Sequence, residues 1–401
     1  MDLTTGVPFW LVKGGLTAAY PKLDQDLRCD LAIIGGGVTG ALLAHRFAEE
    51  GIHTALLEGR EMGYGSTGAS TALLQYELDA HLTALTERIG AASAERCYRL
   101  CLEALAGIER LARAVGGDSE HGRRSSLYLA SARRDAKTLE REWKARRGMG
   151  IEVDLLSSSD LRGRFSFDRP AALLSRLAGE IDPLRFTHDL LAAGRREGLE
   201  VYDRTGVARY QSDRKGVLLE TEDGWRVRAG KAIFATGYNI PPFIPRRSIH
   251  LVSSFAFATS PLQGFDGWGE DRCLIWETAR PYFYARTTPD GRAVVGGADQ
   301  PFKGAQKVDR IQEKQTARLG RQFGEMFPGI RFDVDWSWAG TFTETADGLP
   351  YIGVPPEFPN GYVALGNGAN GIVFAYVAAN LLLDLFLDRD NPDAELFRVG
   401  R

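Results

Sequence analysis

The hydrophobic pattern changes period twice near the front of the chain, in "CDLAIIGGGVTGALLAHRFAEEGIHTALLEGRE". Leu31 to Ile34 are a continuous apolar run, suited to a parallel strand buried on both faces. From Val38 to Ala48 the apolar positions follow helical spacing, and a second strand-like run, Thr54 to Leu57, ends in Glu58. Further on, "SSFAFATS", "CLIWET", "PYFYART" and "RAVVGG" are short, turn-bounded runs rich in β-branched and aromatic residues, as in an antiparallel sheet. "ERCYRLCLEALAGIERL" reads as a helix, with Cys97 and Cys101 on its packed side. The apolar run Gly371 to Asp388 approaches the length of a membrane span, but Asn380 and Asp384 interrupt it. A buried helix and no membrane span are expected there.

Between the first strand and its helix, Gly35, Gly37 and Gly40 are spaced G-x-G-x-x-G. The first allows a tight turn, the second lets backbone N–H groups approach a pyrophosphate, and the third lets helix and strand pack closely. The helix start, with Val38 and Thr39, turns its positive dipole end to the phosphates. Glu58 lies 21 positions after Gly37, where an acid at a strand end binds ribose hydroxyls. These residues predict a dinucleotide site, the alternative being a βαβ unit with an empty turn. The small, hydroxyl-rich stretch "GYGSTGASTALLQYELD" follows, and Ser66, Ser70 and Thr71 suit an extended ligand. That favours FAD over NAD.

"KAIFATGYN" gives a later strand ending in Ala235, Thr236 and Gly237, and "GYVALGNGANGIVFAY" gives strand, glycine loop and helix. Together these stretches resemble the FAD-dependent D-amino-acid oxidase-like family, which includes glycine, sarcosine and gamma-glutamylputrescine oxidases. The resemblance runs from about residue 6 to 388 and takes in "GEIDPLRFTHDLL". The early "PFW" is similar to the gamma-glutamylputrescine oxidase branch. An α/β fold is implied: a Rossmann-like FAD-binding domain with an inserted substrate domain of antiparallel β-sheet plus helices. The resemblance assigns 29–85, 150–250 and 340–401 to the FAD-binding domain, 86–149 and 251–339 to the substrate domain, and 1–28 to an N-terminal extension. It also implies FAD contacts at Val207, where core packing is the rival reading, and at Gly340, Gly368, Asn370, Gly371 and Ile372. The last of these segments starts a helix whose positive end favours negative charge on the cofactor.

In "WAGTFTETADGLP" the amino-acid and glycine oxidases of the family carry a carboxylate-binding arginine two residues after the glycine matching Gly340. Phe342 stands there instead. The resemblance therefore implies oxidation of the C–N bond of a small amine or N-substituted amino acid, gamma-glutamylputrescine oxidase-like, with oxygen or another electron acceptor. The alternatives are a D-amino-acid or glycine oxidase or dehydrogenase, and a flavin-binding subunit without its own amine turnover. Candidate substrate contacts are Tyr76, Trp276, Tyr282, Tyr284 and Phe342, with Glu77 or Glu277 for a cationic amine and Arg286 or Arg280 as substitute clamps. Core packing is open for each aromatic, and a surface turn for Glu344. Sarcosine oxidases attach flavin through a cysteine near the place of Gly340, and the 63–76 loop has no histidine, so noncovalent FAD is expected.

Composition narrows the partners. The chain has 401 residues with 49 Lys plus Arg against 52 Asp plus Glu, and a net charge of -3 gives no reason to expect nucleic acid. Arginines and lysines between Arg123 and Arg147 alternate with acids and read as a solvated helix face. Four cysteines without zinc spacing argue against a disulfide framework and a metal site. The start lacks a basic segment and apolar run, so a cytoplasmic location is expected.

Overall fold

The computed structural model describes residues 4–15, 18–245, 249–269 and 271–401. Parts of the expected segments lie outside the described residues: 1–3 and 16–17 of the N-terminal extension, 246–248 of the flavin segment and Glu270 of the substrate segment.

Strand Leu27–Ile34, fully buried from Leu31 to Ile33, is flanked in parallel by Thr54–Leu57 and Arg226–Phe234. Glu200–Tyr202 and Gly361–Leu365 add parallel strands outside these two. Tyr351–Gly353 and the hairpin Val207–Asp213 with Gly216–Thr221 complete an eight-stranded sheet in antiparallel sense. Helices Val38–Glu49, Pro183–Arg196 and Gly371–Phe386 bury their apolar sides on one face. A smaller core with Tyr210, Phe234, Phe243 and Phe358 covers the other, which is why the central strands are apolar throughout. Asp182 starts the middle helix, its Oδ1 accepting from Leu184 and Arg185 N–H, with Pro183 at the first helical position.

The second sheet has ten strands. Val334–Thr345, Ile249–Thr259, Ala293–Pro301, Phe283–Thr287 and Leu274–Glu277 follow one another in antiparallel order. Alternation gives this sheet two different faces. Phe255, Phe257, Ile275 and Val295 pack under helix Ala305–Met326, while Ser254, Ala256, Trp276 and Tyr284 face the other sheet.

Several expectations change at the element level. Val153–Ser157 and Ala171–Glu180, expected in the flavin segment, belong to the ten-stranded sheet, as does Leu73–Gln75. The reason lies in pairing: Ala171–Glu180 takes Gly122–Leu129 and Val153–Ser157 as neighbours, partners that no local pattern specifies. Gly122–Leu129 is itself a strand within a stretch read as helical, and it pairs in parallel with Leu274–Glu277. Helix Ala91–Ala114, expected in the substrate part, shares its core with the flavin-side helices. The supposed solvated arginine face is also incomplete, because Arg146 and Glu142 are both fully buried, 2.9 Å apart. Cys97 and Cys101 are buried in their helix, and among the described residues no helix is long and apolar enough to cross a membrane.

Candidate active site

At the end of strand Leu27–Ile34, Gly35 has φ +113°, and a Cβ there would lie 2.4 Å from the Ala235 carbonyl oxygen. A Cβ on Gly40 would stand 1.8 Å from the Gly35 oxygen, so only glycine lets the helix begin this close to the strand. A cavity of about 840 Å³ starts at this turn and runs between the sheets. Gly35, Gly37, Val38 and Thr39 line it, with Gly40 one layer behind. Glu58 and Val207 line the same end. The Glu58 carboxylate accepts from Gly36 N–H at 2.7 Å and from Arg60 N–H at 2.8 Å, which fixes its direction.

Ser66, Ser70 and Thr71 follow along the cavity wall. Their loop is gripped from behind through its carbonyl oxygens. Trp10 Nε1 donates to Ser70 O at 2.6 Å, Trp338 Nε1 to Ala69 O at 2.8 Å and Arg286 Nη1 to Ala72 O at 2.9 Å. Ala235, Thr236 and Gly237 lie along the wall too, and Gly368, Asn370, Gly371 and Ile372 bring in the start of helix Gly371–Phe386. Asn370 Nδ2 donates to the carbonyls of Gln75 and Glu77, so it ties the loop and leaves the helix without a side-chain cap. Helix Val38–Glu49 likewise lacks a cap from the residue before it, although Thr67 Oγ1 accepts from Val38 N–H. Two positive helix ends thus meet one cavity. Asn367 Oδ1 is buried beside them without a donor.

The ten-stranded sheet closes the other end with Trp276, Tyr284, Gly340 and Phe342. Trp276 stacks on Tyr128 at 3.7 Å between centroids, and its Nε1 donates to Ser126 Oγ. The Tyr284 hydroxyl lies 2.8 Å from Ser254 Oγ. The Tyr282 hydroxyl donates to Asp79 Oδ1 at 3.1 Å, and the Arg280 guanidinium sits 3.2 Å over the Tyr282 ring. Three acids line the cavity here: Glu77, Asp79 and Asp299. Burial raises the carboxyl pKa of Glu77 and Asp79, with the opposing guanidiniums of Arg146 and Arg280 respectively, and pushes Asp299 up to about 7.

Three of the expected substrate contacts, Tyr76, Arg286 and Glu277, stand elsewhere. Tyr76 is fully buried, edge-on to Tyr98, with its hydroxyl accepting from Arg146. Arg286 has no exposed surface; it donates to the carbonyls of Ala72, Ile181 and Thr287 and holds the loop, so it has no free fork for a carboxylate. Glu277 accepts from Gln322 and Ser131 away from the cavity, and Glu344 is exposed. Arg280 remains near the cavity but among Asp79, Asp299 and Glu344. Sequence reasoning missed Thr67, Asn367, Asp79 and Asp299 as lining residues. The first three sit inside stretches already singled out, and no periodicity marks the fourth.

A family model described as FAD dependent oxidoreductase matches residues 30–385. The chain belongs to this family. Gamma-glutamylputrescine oxidoreductase of Escherichia coli (strain K12) is 24% identical over 398 residues, 95% of this chain and 88% of that one. Glycine oxidase of Bacillus subtilis (strain 168) is 25% identical over 388 residues, 93% and 97% of the two chains. The solved structure of glycine oxidase from Geobacillus kaustophilus matches with a TM-score of 0.79 at 21% identity, over 94% of this chain and 99% of that one. This FAD dependent oxidoreductase is therefore an enzyme with a Rossmann-like FAD domain. Its cavity fits the cofactor: an acid for hydroxyl groups, two helix starts for anionic parts and the orphaned Asn367 oxygen as an acceptor. The relatives differ in substrate at equal similarity, so the substrate must be argued from the cavity.

Proposed function

We propose that this enzyme oxidises the C–N bond of a small amine whose substituent is apolar or extended and which carries no carboxylate on the reacting carbon. The observation that carries this reading is the charge at the closed end of the cavity. Phe342 faces it where the family resemblance expects an arginine, and the lining charges are Glu77, Asp79 and Asp299. Among the described lining residues the one cation is Arg60, near Glu58 at the far end. A substrate carboxylate buried here would meet like charge, which is costly. The guanidinium near this end, Arg280, lies over the Tyr282 ring among Asp79, Asp299 and Glu344 rather than on the cavity wall. An ammonium would meet carboxylates and aromatic faces.

FAD is held noncovalently in this reading, by the Gly35–Thr39 turn, Glu58, Ser66 to Thr71, Val207, Ala235 to Gly237, Gly340 and the Gly368–Ile372 helix start. Neither Cys nor His is among the described lining residues. Bound FAD supplies the two-electron acceptor for the hydrogen on the carbon beside nitrogen, and the imine product is hydrolysed in water. The chain's own part is positioning: Trp276, Tyr282, Tyr284 and Phe342 flank the amine and keep the closed end dry.

The test is anaerobic mixing of FAD-loaded protein with polyamines, gamma-glutamylated amines, N-methyl amino acids and D-amino acids, following flavin absorbance. Bleaching by amines without an α-carboxylate is expected. Bleaching by free amino acids alone would sink the reading, and readmitting air then separates oxygen from another acceptor.

A further inference from the structure

Strand Ala293–Pro301 does not run straight past its neighbour. Its register matches Phe255 to Gly297 and Ser253 to Gln300, so Ala298 and Asp299 both stand opposite Ser254. This is a β-bulge, which bends a strand and re-aims a side chain. Ala298 has φ +56°, in the left-handed region that residues with a Cβ avoid. Its N–H donates to the Tyr282 carbonyl at 2.8 Å, which holds the bulge in place. Backbone strain of this kind persists where the surroundings enforce it, and it clusters at ligand clamps.

The bulge turns Asp299 into the cavity, at the end that holds Tyr282, Tyr284 and Phe342. Its Oδ1 is enclosed and receives no hydrogen bond. The carboxyl has the Ser254 hydroxyl as a partner, and of the other acids Glu77 likewise has one oxygen, Oε2, without a hydrogen bond. Asp79 accepts from the Tyr282 hydroxyl and the Ala369 N–H, and Glu77 lies 3.6 Å from the buried Arg146. An enclosed acid oxygen without a donor costs stability unless a ligand brings one, and an ammonium brings three.

We propose that Asp299 receives the ammonium group of the substrate amine and takes one of its protons, so that the neutral amine stands in the cavity for oxidation; this rests on the amine reading above. In the proton step an N–H bond breaks and an O–H bond forms at Asp299. Ammonium and carboxylate become amine and carboxyl, with no change in oxidation state, and the proton passes to water once product leaves. The groups around the carboxyl set its proton affinity. Burial raises it most, the Ser254 hydroxyl and Arg280 oppose, and Asp79 and Glu344 add to it, giving about 7. Glu77, Tyr282 and Tyr284 complete the titratable groups at this end of the cavity. An acceptor poised near neutral pH suits the task.

The test uses FAD-loaded wild type and Asp299→Asn with tert-butylamine, which has no hydrogen on the carbon bonded to nitrogen and so binds without being oxidised. Binding is read from the shift in flavin absorption. Wild-type affinity should rise as pH passes upward through about 7. Asp299→Asn should bind roughly 10- to 100-fold more weakly at about pH 8 and lose that rise. With an oxidisable amine its bleaching should recover towards about pH 10, where the amine sheds its own proton in water. An Asp299→Asn protein with wild-type affinity and pH profile would overturn the proposal. If that variant fails to hold FAD, the wild-type titration decides, since a flat affinity from about pH 5 to about pH 9 overturns it equally. Wild type that oxidises only free amino acids would remove the amine reading and this proposal together, whatever the variant does.

Discussion

Phe342 and Asp299 are the residues at which specificity is most exposed to test. Phe342→Arg puts a guanidinium on the strand face beside Gly340 and opposite the cavity acids. The expected outcome is a gain of roughly 10- to 100-fold in kcat/KM for glycine or D-amino acids relative to amines. An unchanged ratio would mean that this position does not touch the substrate. Asp299→Asn also has a consequence for stability, and its sign follows from the direction of the shift. The folded carboxyl sits at about 7 against an ordinary 3.8. Between these values the folded chain keeps a proton that the unfolded chain has released, so wild-type stability falls as pH rises through the window. Asp299→Asn should therefore match wild type near pH 4 and exceed it above neutrality. The margin should be about 1–2 kcal/mol, below the full linkage value because cavity water screens the side chain. Urea unfolding of the FAD-free protein at the two pH values measures it.

The bulge in Ala293–Pro301 carries its own prediction. At Ala298 the left-handed backbone costs about 1 kcal/mol, and glycine relieves that while loosening the unfolded chain by a similar amount. Ala298→Gly should thus leave stability within about 0.5 kcal/mol of wild type, whereas Ala298→Val, β-branched, should lose about 2 kcal/mol or more. Thermal unfolding decides, and equal losses in both variants would rule out backbone strain as the cause. This element also marks where sequence reading stops. The strand–turn–helix from Leu27 to Glu49 was legible because its signals are local: an apolar run, three glycines and a helical period. The 63–79 loop and the Gly368–Ile372 helix start were legible from their small residues and the resemblance. Asp299 was not, because its direction depends on the register against Ser253 and Phe255 rather than on alternation along its own strand. Arg286 was misread for a related reason: its strand position was plain, but the carbonyls of Ala72 and Ile181 that engage its Nη1 come from residues far away in the chain.

At the scale of the molecule, the cavity depends on segments that never touch it. Phe9 and Trp10 are buried, with Trp10 bonded to the Ser70 carbonyl and lying 5.3 Å from the Arg286 guanidinium. Trp10→Ala should cost about 3–5 kcal/mol through the cavity it leaves. It should also weaken FAD binding roughly tenfold by lowering the population of the gripped loop, as measured by FAD titration. Unaltered FAD affinity in a folded Trp10→Ala protein would detach the loop from its support. The strand just before the helix of these two residues, Phe9–Gly14, has a further consequence. Thr4–Gly6 pairs with Trp338 to Gly340, joining one end of the chain to a strand more than three hundred residues later. Strand Leu27–Ile34 waits similarly for Arg226–Phe234, which itself pairs with Gly361–Leu365. Chains emerge from the ribosome N-terminus first, and contacts this distant form only after long loops close. Both walls of the cofactor site are therefore completed only after Val334–Thr345 and Gly361–Leu365 have been made. The glycine turn is made more than three hundred residues before the strand that completes the sheet around it, so a nascent chain displays the turn long before it can enclose FAD.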